Sequence, residues 1–186
     1  MPYEPPPELA ALSLAEIAAL VEARELPPLD QWAPERTGDS LMRIAADGRW
    51  FHDAKEIGEG EIKRPAMVRA FAALLMRDKQ GQHWLVTPHE RLGIEVEDAA
   101  FIAVDVKQEH GSLAFRLNTD DLIIAGSDHP IRVEGDPDTP AIYLAVRHGT
   151  EARLNRSTYG QLIDIALSDG ALSVSSQGVT FPLVPQ

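Results

Sequence analysis

The side chains that could do chemistry are six histidines and a few placed arginines. The histidines are His52, His83, His89, His110, His129 and His148. None makes a His-Glu-x-x-His pair, the helical spacing that seats zinc beside a general base. His52-Asp53 and Asp128-His129 could each add a ligand to a metal built from scattered residues. That leaves open a metal-assisted hydrolase of phosphorylated small molecules using His52, His129 and His148. No Gly-x-Ser-x-Gly elbow, Walker loop or Gly-x-Gly-x-x-Gly occurs, so neither serine hydrolysis nor a backbone phosphate cradle is indicated. With no catalytic or metal residue assigned, the cofactor is unknown.

The arginines say more. Arg64 and Arg156 each stand just before an expected helix, where the helix dipole and a guanidinium together attract an anion. Arg147 ends an expected strand and can face the same space. Local ion pairs, Arg64 with Glu61 and Arg156 with Glu151, are the competing reading, and a paired arginine still has donors to offer. Thr87-Pro88-His89-Glu90 and Asn118-Thr119-Asp120-Asp121 are either pocket rims or plain turns. Trp50, Trp84 and Tyr143 suit a core or an interface, with base stacking as the sharper alternative. The candidate ligand-binding set is Arg64, Thr87, Glu90, Asn118, His129, Arg147 and Arg156.

The elements that must position these residues follow from periodicity. Ser13 and Glu16 form a capping box before an apolar run at helical spacing. Met67, Val68, Phe71, Leu74 and Leu75 mark a second helix after Pro65, and Tyr159, Leu162, Ile163, Ala166 and Leu167 a third after Asn155. Short strands are expected at Trp50, 83–87, 94–97, 99–106, 113–117, 122–125, 131–133, 141–146, 172–175 and 179–184. The two halves repeat an order of parts: strand, Glu61, Arg64, helix, Asp-Gly turn and strand, then strand, Glu151, Arg156, helix, Asp169-Gly170 and strand. The expected fold is α+β, with two similar tandem units of helix plus antiparallel sheet and a helical amino-terminal arm. The expected boundaries are 1–40, 41–106 and 107–186, with a ligand site where the two units meet.

Composition limits the partners. The 186 residues carry 17 basic and 29 acidic groups, a net charge of −12, which argues against general nucleic-acid or anionic-membrane binding. Residues 1–40 hold eight of the acids and two of the bases, either a solvated cover or a docking arm for a basic protein partner. There is no cysteine, hence no disulfide framework or thiol catalysis. No secretory signal or membrane-spanning run is legible, and the cytoplasm is the default location.

In combination, the motifs resemble the bacterial family called domain of unknown function 1285. They are Gly48-Arg49-Trp50, Glu61-Ile62-Lys63-Arg64, Trp84-Leu85-Val86-Thr87-Pro88-His89-Glu90, Ile94-Glu95-Val96-Glu97, His129-Pro130-Ile131-Arg132-Val133, Tyr143-Leu144-Ala145-Val146-Arg147 and Glu151-Ala152-Arg153-Leu154-Asn155-Arg156. The resemblance runs from about Asp47 to the carboxyl end and departs from the family pattern at Ala100 and His89. It implies a duplicated α+β core, a pleckstrin-homology-like carboxyl-terminal unit, a nucleotide-like ligand between the units, and a regulatory role in signal transduction.

Overall fold

A computed structural model describes residues 3–54 and 58–185. The chain divides into two units. The first comprises 1–4, 25–100 and 147–150; the second comprises 5–24, 101–146 and 151–186.

The first unit is a six-stranded sheet of order β3-β2-β1-β6-β5-β4. Its strands are β1 (Arg36–Ile44), β2 (Trp50–Ala54), β3 (Gly58–Glu61), β4 (Leu75–Arg77), β5 (His83–Val86) and β6 (Glu90–Val96). Every neighbouring pair is antiparallel except the central one, where β1 runs parallel to β6. The helix α2 (Pro65–Ala72) links β3 to β4. Pro65 opens it, since a proline's missing N–H costs nothing in a first turn. Phe71 stacks on the fully buried Trp50 at 6.4 Å between ring centroids.

The second unit repeats this plan strand for strand. Its sheet order is β10-β11-β12-β7-β8-β9, and again only the central pair, β12 with β7, is parallel. The strands are β7 (Phe101–Glu109), β8 (Ser112–Leu117), β9 (Leu122–Ile124), β10 (Ile131–Asp136), β11 (Thr139–Ala145) and β12 (Glu151–Leu154). The helix α3 (Arg156–Ser168) follows β12, and a hairpin, β13 (Ser173–Ser176) with β14 (Val179–Pro182), ends the chain. The duplication is therefore one of strands, in a different register from the helix-based alignment. α2 sits between third and fourth strands and α3 after the sixth, so Arg64 and Arg156 are not equivalent positions.

Two boundaries and one strand differ from the sequence reading. The division falls at Ala100/Phe101 rather than after 106, because 101–109 is one continuous strand. β1 was not foreseen at all. The amino-terminal stretch 5–24 is not a separate arm but part of the second unit. Its helix α1 (Leu14–Ala23) has the expected capping box, with Ser13 accepting from the Glu16 N–H and Glu16 from the Ser13 N–H. Leu9, Leu12 and Ile17 are buried against Ala114 and Leu122. Each such aliphatic side chain contributes about 1.5–3 kcal/mol. Polar bonds fix the same stretch: Arg24 to the buried Asp121 at 2.8 Å, and Arg116 to the carbonyls of Pro6 and Pro7. α3 buries Thr158, Leu162 and Ala166, a stripe one position round from that expected, which leaves Leu167 60% exposed. Among the described residues no helix is long and apolar enough to cross a membrane.

Gly149, in the 147–150 turn, is required by its surroundings. Its φ is +78°, and a Cβ there would lie 2.5 Å from the Arg77 carbonyl oxygen, whose residue also donates its N–H to the His148 carbonyl. Gly149→Ala should cost about 2 kcal/mol or more, from backbone strain plus displacement of Arg77. Gly170→Ala, at φ +77° with open space around it, should cost about 1 kcal/mol. Thermal melts of the two variants giving equal losses would contradict this packing.

Candidate functional site

Two concavities lie within the first unit, and each follows from how β1, β2 and β3 are laid down. The larger is a cleft of about 690 Å³. It forms where β1 loses register with β6 between Asp39 and Arg43, so that three residues of β1 stand opposite one of β6. The bulge is held by short bonds. Asp39 Oδ1 accepts from the Leu41 N–H at 2.8 Å, and Ser40 Oγ donates to the Gly93 carbonyl at 2.7 Å. Leu41 takes φ +57°, a strained value for a branched side chain that the surrounding bonds impose. Bulges bend a strand and re-aim its side chains, and this one turns Arg43 towards the edge of the sheet.

Arg43 is fixed there by two carboxylates. Its Nε and Nη2 donate to Glu59 at 3.2 and 2.7 Å, its Nη1 to Glu97 at 2.5 Å, and its guanidinium lies 4.5 Å from the centre of the Phe51 ring. The bidentate hydrogen bond from Arg43 holds the Glu59 carboxyl below the usual range. Asp39, Asp53, Gln82, His83, Trp84 and Glu95 complete the polar lining, and Gly38 and Gly93 also line the cleft. The Trp84 indole N–H donates to Asp78 at 3.0 Å, and Arg91 lies 4.2 Å from the ring centre.

The smaller concavity, about 500 Å³, lies at the amino end of α2 and is lined by His52, the β3 residues, Ile62, Lys63, Arg64 and Met67. Arg64 is the N-cap residue but provides no side-chain cap. Among the described residues neither Lys63 nor Arg64 has an ion-pair partner, so the local pair of Arg64 with Glu61 does not form. In the second unit Arg156 is likewise exposed and unpaired among the described residues, because Glu151 is taken by Arg132 at 2.7 Å.

The other candidate residues are spread over both units. Thr87 and Glu90 come together, but as a turn: Thr87 Oγ1 donates to the Glu90 carbonyl and accepts from its N–H, both at 3.1 Å. Thr150 closes the equivalent turn of the repeat on Arg147, donating to its carbonyl at 2.5 Å. Arg147 Nη2 reaches the carbonyl of Ala72, the last residue of α2, so Arg64 and Arg147 serve opposite ends of one helix. Asn118 accepts from the Ile102 N–H at 3.0 Å, a strut between β8 and β7. His129 Nδ1 lies 3.0 Å from the Ala145 carbonyl oxygen. Arg64, Thr87, Glu90 and Arg147 belong to the first unit, and Asn118, His129 and Arg156 to the second. Among the described residues no three histidine, aspartate or glutamate side chains are grouped as a metal ion requires, so His52, His129 and His148 form no such set. Sequence reasoning missed Arg43 and Glu59 and took Asp53 only as a possible metal ligand beside His52; the one legible sign of the cleft was Gly93 just before an alternating strand.

A six-stranded α+β unit duplicated in tandem, with concavities in the first copy, defines a two-domain protein of one repeated architecture. The chain belongs to the DUF1285 family. Residues 27–99 match the model described as domain of unknown function (DUF1285), N-terminal domain, and residues 100–183 that described as protein of unknown function (DUF1285), C-terminal domain. Two solved DUF1285 family structures are similar. One, from Silicibacter pomeroyi DSS-3, is 38% identical with a TM-score of 0.72, over 91% of this chain and 94% of the other. The second, from Shewanella baltica OS155, is 23% identical with a TM-score of 0.53, over 67% of this chain and 91% of the other, and shares the fold. Among curated proteins none matches the chain.

The Trp84–Asp78 bond has a consequence in acid. The indole N–H is the largest influence holding the Asp78 carboxyl below its ordinary value, with the Gln82 and Gln80 N–H groups adding to it. A carboxyl whose folded value is depressed adds stability above its unfolded value and loses it as pH falls through the folded one. Trp84→Phe should therefore raise the Asp78 titration midpoint in carboxyl-carbon NMR, and the stability gap between wild type and variant should narrow on acidification. An unmoved Asp78 midpoint would show that the indole bond does not form in solution.

Proposed function

We propose that the protein is a non-enzymatic regulator that binds an anionic, nucleotide-like small molecule in bacterial signal transduction, and that the anion sits in the recess at the start of α2. One observation carries this reading: Arg64 and Lys63, at an uncapped helix amino terminus, have no carboxylate partner among the described residues. In a chain of net charge −12 most cations are expected to be neutralised locally. An unpaired arginine and lysine beside a helix dipole are the donors that a phosphate group seeks. Of the two carboxylates that line the recess, Glu59 is committed to Arg43, and Glu61 forms no ion pair with either cation among the described residues. A pleckstrin-homology-like second unit and a cytoplasmic location belong to the same proposal; the first is supported by a single long sheet with one carboxyl-side helix, α3, against β7.

Pyrophosphate and adenosine diphosphate are the probes, because a ligand that binds only the native state raises the melting temperature. Both should stabilise the wild type. Arg64→Ala should keep its fold and lose about tenfold in affinity, as expected for one charge-assisted bidentate contact. Arg156→Ala should bind as the wild type does. Equal thermal shifts for wild type and Arg64→Ala would refute the site.

A further inference from the structure

The edge of the first sheet at β4 is closed by the turn 147–150. In the pairing of β4 with β5, the Val86 N–H donates to the Leu74 carbonyl and the Asp78 N–H to that of Gln82, both at 2.9 Å. Antiparallel strands turn alternate residues towards and away from a neighbour, so the Arg77 N–H points out of the sheet. The His148 carbonyl accepts from it at 2.9 Å. β4 is the last strand in the order, and an uncovered edge is a template for further strands. The turn supplies the cover.

Its backbone is one that few residues adopt. His148 has φ +49° and Gly149 φ +78°, two left-handed residues in succession. The Thr150 N–H and hydroxyl both donate to the Arg147 carbonyl, at 2.9 and 2.5 Å. The Arg147 guanidinium donates to the Ala72 carbonyl at the end of α2. Left-handed backbone outside glycine persists where surrounding contacts impose it, and such residues gather at switch regions.

The side chain at the centre of the turn is titratable. The His148 imidazole is half-buried and makes no hydrogen bond or ion pair among the described residues. Three charged residues stand around it. They are Asp30 from the turn Leu29–Gln31, Arg147 beside it in the chain, and Arg77 of β4, against whose main chain Gly149 packs. Burial, the largest influence, disfavours the imidazolium, while Asp30 attracts the proton and Arg147 repels it. The folded turn therefore holds His148 below the ordinary histidine value.

We propose that the turn 147–150 is an acid-released clasp: protonation of the His148 imidazole loosens the turn and uncovers the β4 edge. A histidine depressed in the folded state binds fewer protons there than in the opened state. The hold is complete above the ordinary value of about 6.5 and weakens as pH falls from there towards the folded value.

Hydrogen exchange of the Arg77 amide in the intact chain, corrected for the intrinsic rate, tests this. Wild-type protection should fall about threefold or more between about pH 7.5 and pH 5.5. The Val86 amide, whose bond lies within the sheet, should keep its protection over the same range. In His148→Asn the Arg77 protection should not vary with pH, because asparagine also adopts left-handed backbone and carries no titratable group. Equal pH dependence in wild type and His148→Asn, or constant protection in wild type, would overturn the proposal. So would loss of protection at Arg77 and Val86 together, which is melting of the strand rather than release of the turn. If His148→Asn does not fold, the imidazole titration of the wild type by NMR decides. A midpoint at or above the ordinary value refutes the clasp, and Asp30→Asn should move the midpoint lower still. No ligand takes part, so failure here leaves the recess at Arg64 standing.

Discussion

Each unit depends on one pairing, that of its first strand with its last. β1 lies parallel to β6, and β7 parallel to β12, while two antiparallel strands extend each sheet outward on either side. A parallel pair cannot be closed by a tight hairpin, so the whole unit must be threaded between its two members. That constraint explains why the same strand order recurs while the helices do not. The chain between third and fourth strands must travel from one sheet edge to the other, and it does so through α2 in the first unit and through the loop 125–130 in the second. The turns between fifth and sixth strands are comparable in both, each closed by a threonine hydroxyl, Thr87 or Thr150.

The central pair also accounts for where the first unit can hold a ligand. Its bulge, Asp39 to Arg43, interrupts the ladder at the middle of the sheet and sends Arg43 across β2 to Glu59 on the edge strand β3. Glu59 lines both concavities. Its commitment to Arg43 leaves the cleft acidic on one side and spares Lys63 and Arg64 on the other. These are partly exposed groups, so their pairing adds little to stability. Their effect is to sort charge, placing unneutralised carboxylates and unneutralised cations in separate hollows. In the second unit the central pair has no such interruption, since its irregularity falls between β7 and β8 at Ala103 and Asp105.

Much of the fold was legible in the sequence because it follows local rules. The capping box at Ser13 and Glu16, Pro65 at a helix start and Asn155 accepting from the Thr158 N–H at 2.9 Å are all short-range signals. β1 was not legible. Its first four residues are exposed, it contains Gly38, and its bulge breaks the two-residue period by which a strand is recognised. The repeat was seen but misaligned, because amphipathic helices resemble one another more than short strands do. The availability of Arg64 and Arg156 could not be read either. Whether Glu61 or Glu151 neutralises them depends on non-local partners, and Arg132 claims Glu151 from nineteen residues away. The cleft lining was hidden for the same reason: Asp39, Asp53, Glu59 and Glu95 come from four strands that only the sheet assembles.

The claim on which the account turns is that the recess at the start of α2 keeps Lys63 and Arg64 unneutralised for an anion. Amide NMR mapping of the intact chain during a pyrophosphate titration tests it directly. The expected result is saturating shifts confined to Gly60, Lys63, Arg64 and Met67, with Arg156 silent. Shifts scattered over basic residues of both units, growing linearly without saturation, would contradict it.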